Sequence, residues 1–309
     1  MANMYKLFSR ILFILPLFML PSMLKATPKG LEKQLQEVIA NRKAQIGIAV
    51  IINGKDTITI NNDERYPMMS VFKLHQALAV ANYCQKNGLS FDTPIHIHKT
   101  DLKPNTYSPL RDQYPNGEIS LPIKELLKYT LHLSDNNACD ILFQATGGTK
   151  ATDNYIRHNL GMQHFAIKAT EDEMHQDKNK CYQNWSTPLE AARIIELLTT
   201  KPLFDEKYQK FIQETMISCQ TGKDRLPFPL KDTKAVIGHK TGTGDRNDKG
   251  QIIGINDVGF VYLPDGQRYT IAVFIKDSEE SDTATSQIIA DISATVYRFI
   301  SNNTPTENN

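Results

Sequence analysis

The segment YPMMSVFKLHQ, Tyr66 to Gln76, places a hydroxyl at Ser70 and an amine at Lys73, three residues apart in an otherwise apolar stretch. Burying an ammonium costs several kcal/mol unless partners meet it. Helical neighbours lie three or four residues apart, so the amine falls beside the serine oxygen. Val71, Phe72, Leu74, Ala77, Leu78 and Val80 make that helix apolar on most sides, the pattern of a buried helix. Burial lowers a lysine's pKa and lets it take a proton, and a helix start offers N–H groups and the positive dipole end to the serine. These are the parts of an activated nucleophile with half an oxyanion hole. Alone, the pair reads more readily as a capping serine and a snorkelling lysine.

Two further clusters follow. LSDNNACD holds Ser134, a hydroxyl able to relay a proton, and Asn136, a donor and acceptor for an amide. Asp135 there is a ready helix cap. HKTGTG places Lys240, Thr241, Gly242, Thr243 and Gly244 at a strand end, where glycine admits a ligand to the backbone and an edge strand offers free N–H groups. Each cluster alone is weak. Together, Ser-x-x-Lys, Ser-Asp-Asn and Lys-Thr-Gly in this order resemble the motif set of the penicillin-recognising serine enzymes, from about Leu31 to Ile300.

Within that set, the interval KATEDEMHQDKNKCYQNWSTP resembles the loop that carries the deacylating glutamate in class A β-lactamases. The resemblance assigns that role to Glu171, with Met174 and His175 following in register and Glu173 as the rival. His175 stands where asparagine is common and is expected to hold the hydrolytic water through a ring nitrogen. Ala169 and Asn184 replace the arginine and aspartate that commonly brace this loop, so its path is left open. Both departures, with YSPL, YQNW and HKTGTGDRN, resemble the extended-spectrum branch that includes the cephalosporinases of Bacteroides-type bacteria. The resemblance implies an acyl-serine hydrolase of β-lactam antibiotics, cephalosporins favoured. Ser70 is then the nucleophile, Lys73 or Glu171 the acylating base, and Ser134 the proton relay. Backbone N–H groups of Ser70 and Thr243 form the oxyanion hole. Asn136 and Tyr107 border the substrate, and Lys240, Thr241, Thr243 and Arg225 receive its carboxylate, with Arg246 a second candidate cation. A D-alanyl-D-alanine peptidase and a non-catalytic β-lactam sensor are the alternatives, the first marked by a long-lived adduct and the second by binding without product.

The elements that must position these residues follow from periodicity. LEKQLQEVIANRK reads as an amphipathic helix, and QIGIAVIING with DTITIN as a hairpin about Asn53-Gly54. A helix-rich middle follows, then strands at AVIGHKTG, QIIGINDVGFVYL and QRYTIAVFIKD, and a last helix, TSQIIADISATVYRFI. The expected fold is α+β: a five-stranded antiparallel sheet flanked by the terminal helices (27–61 and 231–303) with an all-α lobe (62–230) inserted. This is one catalytic domain, 27–309. Residues 1–26 carry Lys6 and Arg10 ahead of ILFILPLFML and end at Ala26, the pattern of a secretory signal peptide. That implies a periplasmic protein with no lasting membrane anchor. Without the leader the chain carries 32 basic and 34 acidic residues and no basic patch, which excludes a nucleic-acid reading. Cys84, Cys139, Cys181 and Cys219 have irregular spacing and are expected to be free thiols. His96 and His98 lack the aspartate two residues on that the zinc β-lactamase pattern needs; Thr100 stands there, so no metal and no cofactor are expected. A β-lactam is the small-molecule partner, and a monomer is the default.

Overall fold

The structure is a computed structural model that describes residues 28–303. The leader and the last six residues lie outside the described residues. Helix α1 (Pro28–Ile39) leads into strands β1 (Gln45–Ile52) and β2 (Asp56–Ile60), joined at a turn where Asn53 and Gly54 both have positive φ. The two-residue strand β3 (Tyr66–Pro67) precedes a 3-10 turn over Met69–Val71 and helix α2 (Phe72–Lys86). Strand β4 (Pro94–Ile97), helix α3 (Pro109–Gln113) and strand β5 (Ile119–Pro122) come next, followed by helices α4 (Ile123–His132), α5 (Asn136–Thr146) and α6 (Gly148–Asn154). Then come β6 (Phe165–Ala166), α7 (Glu171–Gln176), β7 (Trp185–Ser186), α8 (Pro188–Thr200) and α9 (Glu206–Ile217). Strands β8 (Val236–Thr243), β9 (Ile252–Tyr262) and β10 (Arg268–Ser278) and helix α10 (Asp282–Asn302) complete the chain.

The main sheet runs β2-β1-β10-β9-β8, antiparallel throughout. Early and late strands meet where β1 pairs β10, from Gln45 opposite Lys276 to Ile52 opposite Tyr269. Both faces are covered, so these strands read as apolar runs rather than as alternating ones. The alternation appears instead in which core each residue enters. Ile46, Ile48, Val50 and Ile52 join Ile271, Val273 and Ile275 against Leu31 and Leu35 of α1 and Ile288, Ile292 and Val296 of α10. Ala49, Ile51, Ala272 and Phe274 face the other way, into the core shared with α2, α4, α5 and α8. The five-stranded antiparallel sheet and its flanking terminal helices agree with expectation. The sequence reading lacked the β4–β5 hairpin, the small β3-β7-β6 sheet and α7, all short elements whose pairing is decided by distant residues.

Two features prepare the site. Helix α2 is buried along most of its length, with Lys73 among its fully buried residues. Strand β8 is the sheet edge. The Gly244 N–H bonds to Gly254 on β9, so the alternation of an antiparallel ladder turns the Thr243 N–H away from β9, to the free edge.

Candidate active site

Ser70 sits in the 3-10 turn just ahead of α2, after Met69, whose φ is +46°. The N-cap of α2 is Val71 and no side chain caps the helix, which disposes of the capping-serine reading. Asn256 on β9 anchors the turn: its Nδ2 donates to the carbonyls of Pro67 (2.9 Å) and Met68 (3.0 Å), and its Oδ1 accepts from Ile275 N. Opposite it, Gly242 packs so closely that a Cβ would lie 2.5 Å from the Met68 carbonyl oxygen. Glycine is required there by close approach, with no demand on φ.

Lys73 does not snorkel. Its Nζ lies 3.1 Å from Ser70 Oγ, 2.7 Å from the Ser134 carbonyl, 2.6 Å from Asn136 Oδ1 and 2.9 Å from Glu171 Oε1. This is how the buried ammonium is accommodated: four oxygens replace water. The Ser70 hydroxyl donates to Glu171 Oε1 at 3.2 Å. Ser134, at φ +63°, turns its carbonyl to Lys73 and its hydroxyl to Lys240, whose Nζ donates to it at 2.9 Å. Burial, then the charge of Lys73, lowers the Lys240 pKa to about 7. Asp135 caps α5 through Ala138 N and also receives Leu110 N and the Ser108 hydroxyl, so it fixes the segment after Tyr107.

Glu171 opens α7 and points inward, with its side chain about one-tenth exposed. Helix α5 sets its position. Asn136 Oδ1 holds Lys73, and one turn later Asp140 accepts the N–H of Glu171 (2.9 Å) and of Asp172 (2.8 Å). Burial and the neighbouring Glu171 charge push the Asp140 carboxyl up to about 7. Sequence reasoning passed over Asp140; its place four residues after Asn136 was the available signal. The missing brace is replaced at Asn184. Its Oδ1 accepts from Lys168 N (2.7 Å) and Ala169 N (2.9 Å), its Nδ2 donates to the Ala169 carbonyl (2.8 Å), and its own carbonyl accepts from Met68 N (2.8 Å). The fully buried Asn184 side chain therefore closes the loop, and its backbone carbonyl ties the loop to the segment leading into Ser70. The rival Glu173 is engaged elsewhere, in a capping box with Thr170 and an ion pair with Lys180 at 3.7 Å.

A cleft of about 410 Å³ opens onto this group, its walls including Tyr107, Asn136, Glu171, His175 and Thr243. Tyr107 is 58% exposed, a rim residue rather than a packed one. His175 is likewise exposed at the rim. Arg225 is buried under β8. Its Nη2 donates to Thr243 Oγ1 at 2.7 Å, while its Nη1 holds the carbonyls of Gly242 and Asn256 and its Nε the Ser286 hydroxyl. Arg246 faces outward to Asp282 at 2.8 Å, an exposed ion pair away from the cleft. Against β8, Cys219, Thr221 and Thr241 form a chain, with Sγ–Oγ1 3.3 Å and Oγ1–Oγ1 2.6 Å. Beside them the buried His239 meets both Asp257 oxygens at 2.9 and 3.0 Å. Burial alone would lower the His239 pKa, but the charges and hydrogen bonds of Asp257 and Cys219 together outweigh it and the value reaches about 10. Burial would raise the Cys219 thiol, yet the hydrogen bonds with His239 and Thr221 and the charges of His239 and Lys240 together prevail and bring it to about 7. All four cysteines are buried and free.

Ser70 is met by the Lys73 amine and by a glutamate on a loop helix, and Lys73 in turn by Asn136, the grouping that the motif order led us to expect. The chain matches the model of the β-lactamase enzyme family over residues 29–300. A β-lactamase of Phocaeicola vulgatus is 42% identical over 271 residues, 87% of this chain and 84% of that protein. The crystal structure of a class A β-lactamase from Bacteroides cellulosilyticus superposes with a TM-score of 0.85 at 41% identity, covering 89% of this chain and 99% of that one. The chain belongs to the class A β-lactamases. The TLA-3 extended-spectrum β-lactamase is a further structural neighbour, with TM-score 0.86 and 38% identity over 89% of this chain and 99% of that one. This β-lactamase is therefore a hydrolase of β-lactams, and its resemblance to the Bacteroides-type branch stands. Among the described residues no helix is long and apolar enough to cross a membrane.

Proposed function

We propose that this β-lactamase opens cephalosporins preferentially, through an ester formed on Ser70. The observation that carries the reading is the Glu171 carboxylate 3.2 Å from Ser70 Oγ and 2.9 Å from Lys73 Nζ. The Ser70 hydroxyl already donates to Glu171, and the oxygens around Lys73 leave its amine a donor. Both facts support Glu171 as the group that removes the Ser70 proton, with Lys73 orienting it. Ser70 Oγ then bonds to the lactam carbonyl carbon. The oxyanion is held by the N–H groups of Ser70 and Thr243, the latter on the free edge of β8. As the carbon–nitrogen bond breaks, the Ser134 hydroxyl protonates the ring nitrogen and is recharged from Lys73 or Lys240. Glu171 first returns its proton through Lys73 to replace the one given to Ser134. It then takes a proton from water, whose oxygen attacks the ester carbonyl, and that proton passes to Ser70 Oγ as the ester carbon–oxygen bond breaks.

Lys240, Thr241 and Thr243 receive the substrate carboxylate. Four of the five Arg225 N–H donors are engaged, which leaves one beside Thr243 Oγ1 to strengthen that pocket. The Thr243 hydroxyl and the resemblance to the cephalosporinase branch favour cephalosporins. Asn136 engages its oxygen with Lys73 and one N–H with Thr106, keeping the other N–H for the acylamino side chain. Tyr107 and His175 border that side chain, and His175 also suits the hydrolytic water. Export by cleavage near Ala26 to a periplasmic monomer, a single catalytic domain over 27–309, completes the reading.

Stopped-time mass spectrometry with a cephalosporin tests it. Wild type passes through a transient adduct on Ser70. Glu171→Gln, of equal volume but unable to accept the proton, accumulates the adduct, with turnover reduced about 100- to 10,000-fold. Equal rapid turnover by both removes Glu171 from its role.

A further inference from the structure

The fold brings a carboxylate to the His-x-His pair at the end of β4. His96 and His98 project from the same face of the strand and its extension. Glu118, at φ +50° just before β5, brings its carboxylate over them. The turn is fixed by Gly117, which lies flat on the His98–Lys99 backbone; a Cβ there would sit 2.5 Å from Lys99 N. One Glu118 oxygen, Oε1, is tethered by the Lys99 N–H at 3.2 Å. The other, Oε2, lies 3.3 Å from His96 Nε2 and 3.5 Å from His98 Nδ1. The far nitrogen of His96, Nδ1, is 3.2 Å from Ser120 Oγ.

These distances have a meaning beyond an ion pair. Ligands about 2.0–2.1 Å from a tetrahedral zinc are about 3.3–3.4 Å from one another. Two of the three edges of the ligand triangle therefore already have nearly that length. All three ligand atoms lie within 4.8 Å of one another, and the remaining edge closes by a small rotation of exposed side chains. When Ser120 takes the His96 Nδ1 proton as its hydrogen bond, Nε2 faces the carboxylate as a lone pair, and acceptors then converge on one point. A proton or a metal must fill it.

We propose that His96, His98 and Glu118 form a binding site for a divalent transition metal of the zinc type, with solvent as the remaining ligand. The site is exposed at the protein surface and apart from the Ser70 machinery, and it takes no part in β-lactam hydrolysis. Its effect is to clamp the β4–β5 hairpin at the base of the segment that runs through Lys103 to Tyr107 on the cleft rim.

Calorimetric titration of the metal-stripped full chain with zinc chloride tests this, on wild type, the His96→Ala/His98→Ala double variant and Glu118→Gln. Wild type is expected to bind one equivalent saturably, with a zinc-dependent rise in thermal midpoint. The double variant should weaken binding by at least about tenfold, and Glu118→Gln by a smaller factor in the same direction. Unchanged metal-free cephalosporin hydrolysis certifies that all three proteins are folded. Failure of wild type to bind a saturable equivalent overturns the proposal, as does equal binding by the double variant, which would place the zinc on other histidines.

Discussion

Asn184→Ala isolates the device that holds Glu171 in place. The substitution removes the acceptor of two backbone N–H groups, Lys168 and Ala169, and the donor to the Ala169 carbonyl. The side chain is fully buried, so water does not simply take its place. Each buried polar group left without a partner costs about 1–3 kcal/mol, and taking the lower half of that range for three groups gives about 3–6 kcal/mol. At about 2–4 °C per kcal/mol for a chain of this size, the thermal midpoint falls by roughly 10 °C. The loop carrying Glu171 begins two residues from the lost contacts, while Asp140 still grips the Glu171 and Asp172 amides. A partial displacement results. A shift approaching 1 Å costs up to about 100-fold, so kcat for a cephalosporin is expected to fall about 10- to 100-fold with a larger steady-state adduct. Differential scanning calorimetry and stopped-time mass spectrometry read the two effects. A midpoint within about 2 °C of wild type together with undiminished kcat would refute the claim that Asn184 does the work of the absent arginine–aspartate brace.

Two further outcomes follow from the same geometry. The His239 pKa, about 10 in the fold, lies above its ordinary 6.5. The stability it contributes is therefore fully present below pH 6.5 and is lost as pH rises through about 10. Cys219, lowered from 9.0 to about 7, acts in the opposite sense over its own interval: its contribution is present above pH 9.0 and lost as pH falls through about 7. In a Cys219→Ser background, denaturant midpoints should decline above neutrality with His239 present and flatten in Cys219→Ser/His239→Gln. Gly242→Ala forces a Cβ to within 2.5 Å of the Met68 carbonyl, so either β8 or the Ser70 turn must move. Hydrolysis should drop about 100-fold, as for loss of an oxyanion donor, while circular dichroism shows the sheet intact.

The chemistry was legible because its residues are written in three short runs. Ser70 and Lys73 are neighbours on one helix, Ser134 and Asn136 flank one cap, and Lys240 to Thr243 lie on one strand; local spacing reports such contacts. The support was not legible. Asn256 reaches Pro67 and Met68 across 188 to 189 residues, and nothing in INDVGF announces it. Asn184 was visible only as a departure from a pattern; that an amide could grip three backbone groups depends on the loop returning to it. Arg225 was the first candidate cation and Arg246 the second, and the sheet separates them by burying one beneath Thr243 and leaving the other at Asp282. His96 and His98 lacked their third partner until the turn at Gly117 brought Glu118 round.

Helix α5 acts as a gauge. Its first turn sets the amine through Asn136, and its second sets the loop carboxylate through Asp140, about 6 Å further along a rigid rod. The spacing between the amine and the loop carboxylate is thus machined into one element, while Tyr107 and His175 stand exposed at the lip of the cleft. New drugs can be accommodated by redecorating that lip, leaving the proton-handling interval untouched.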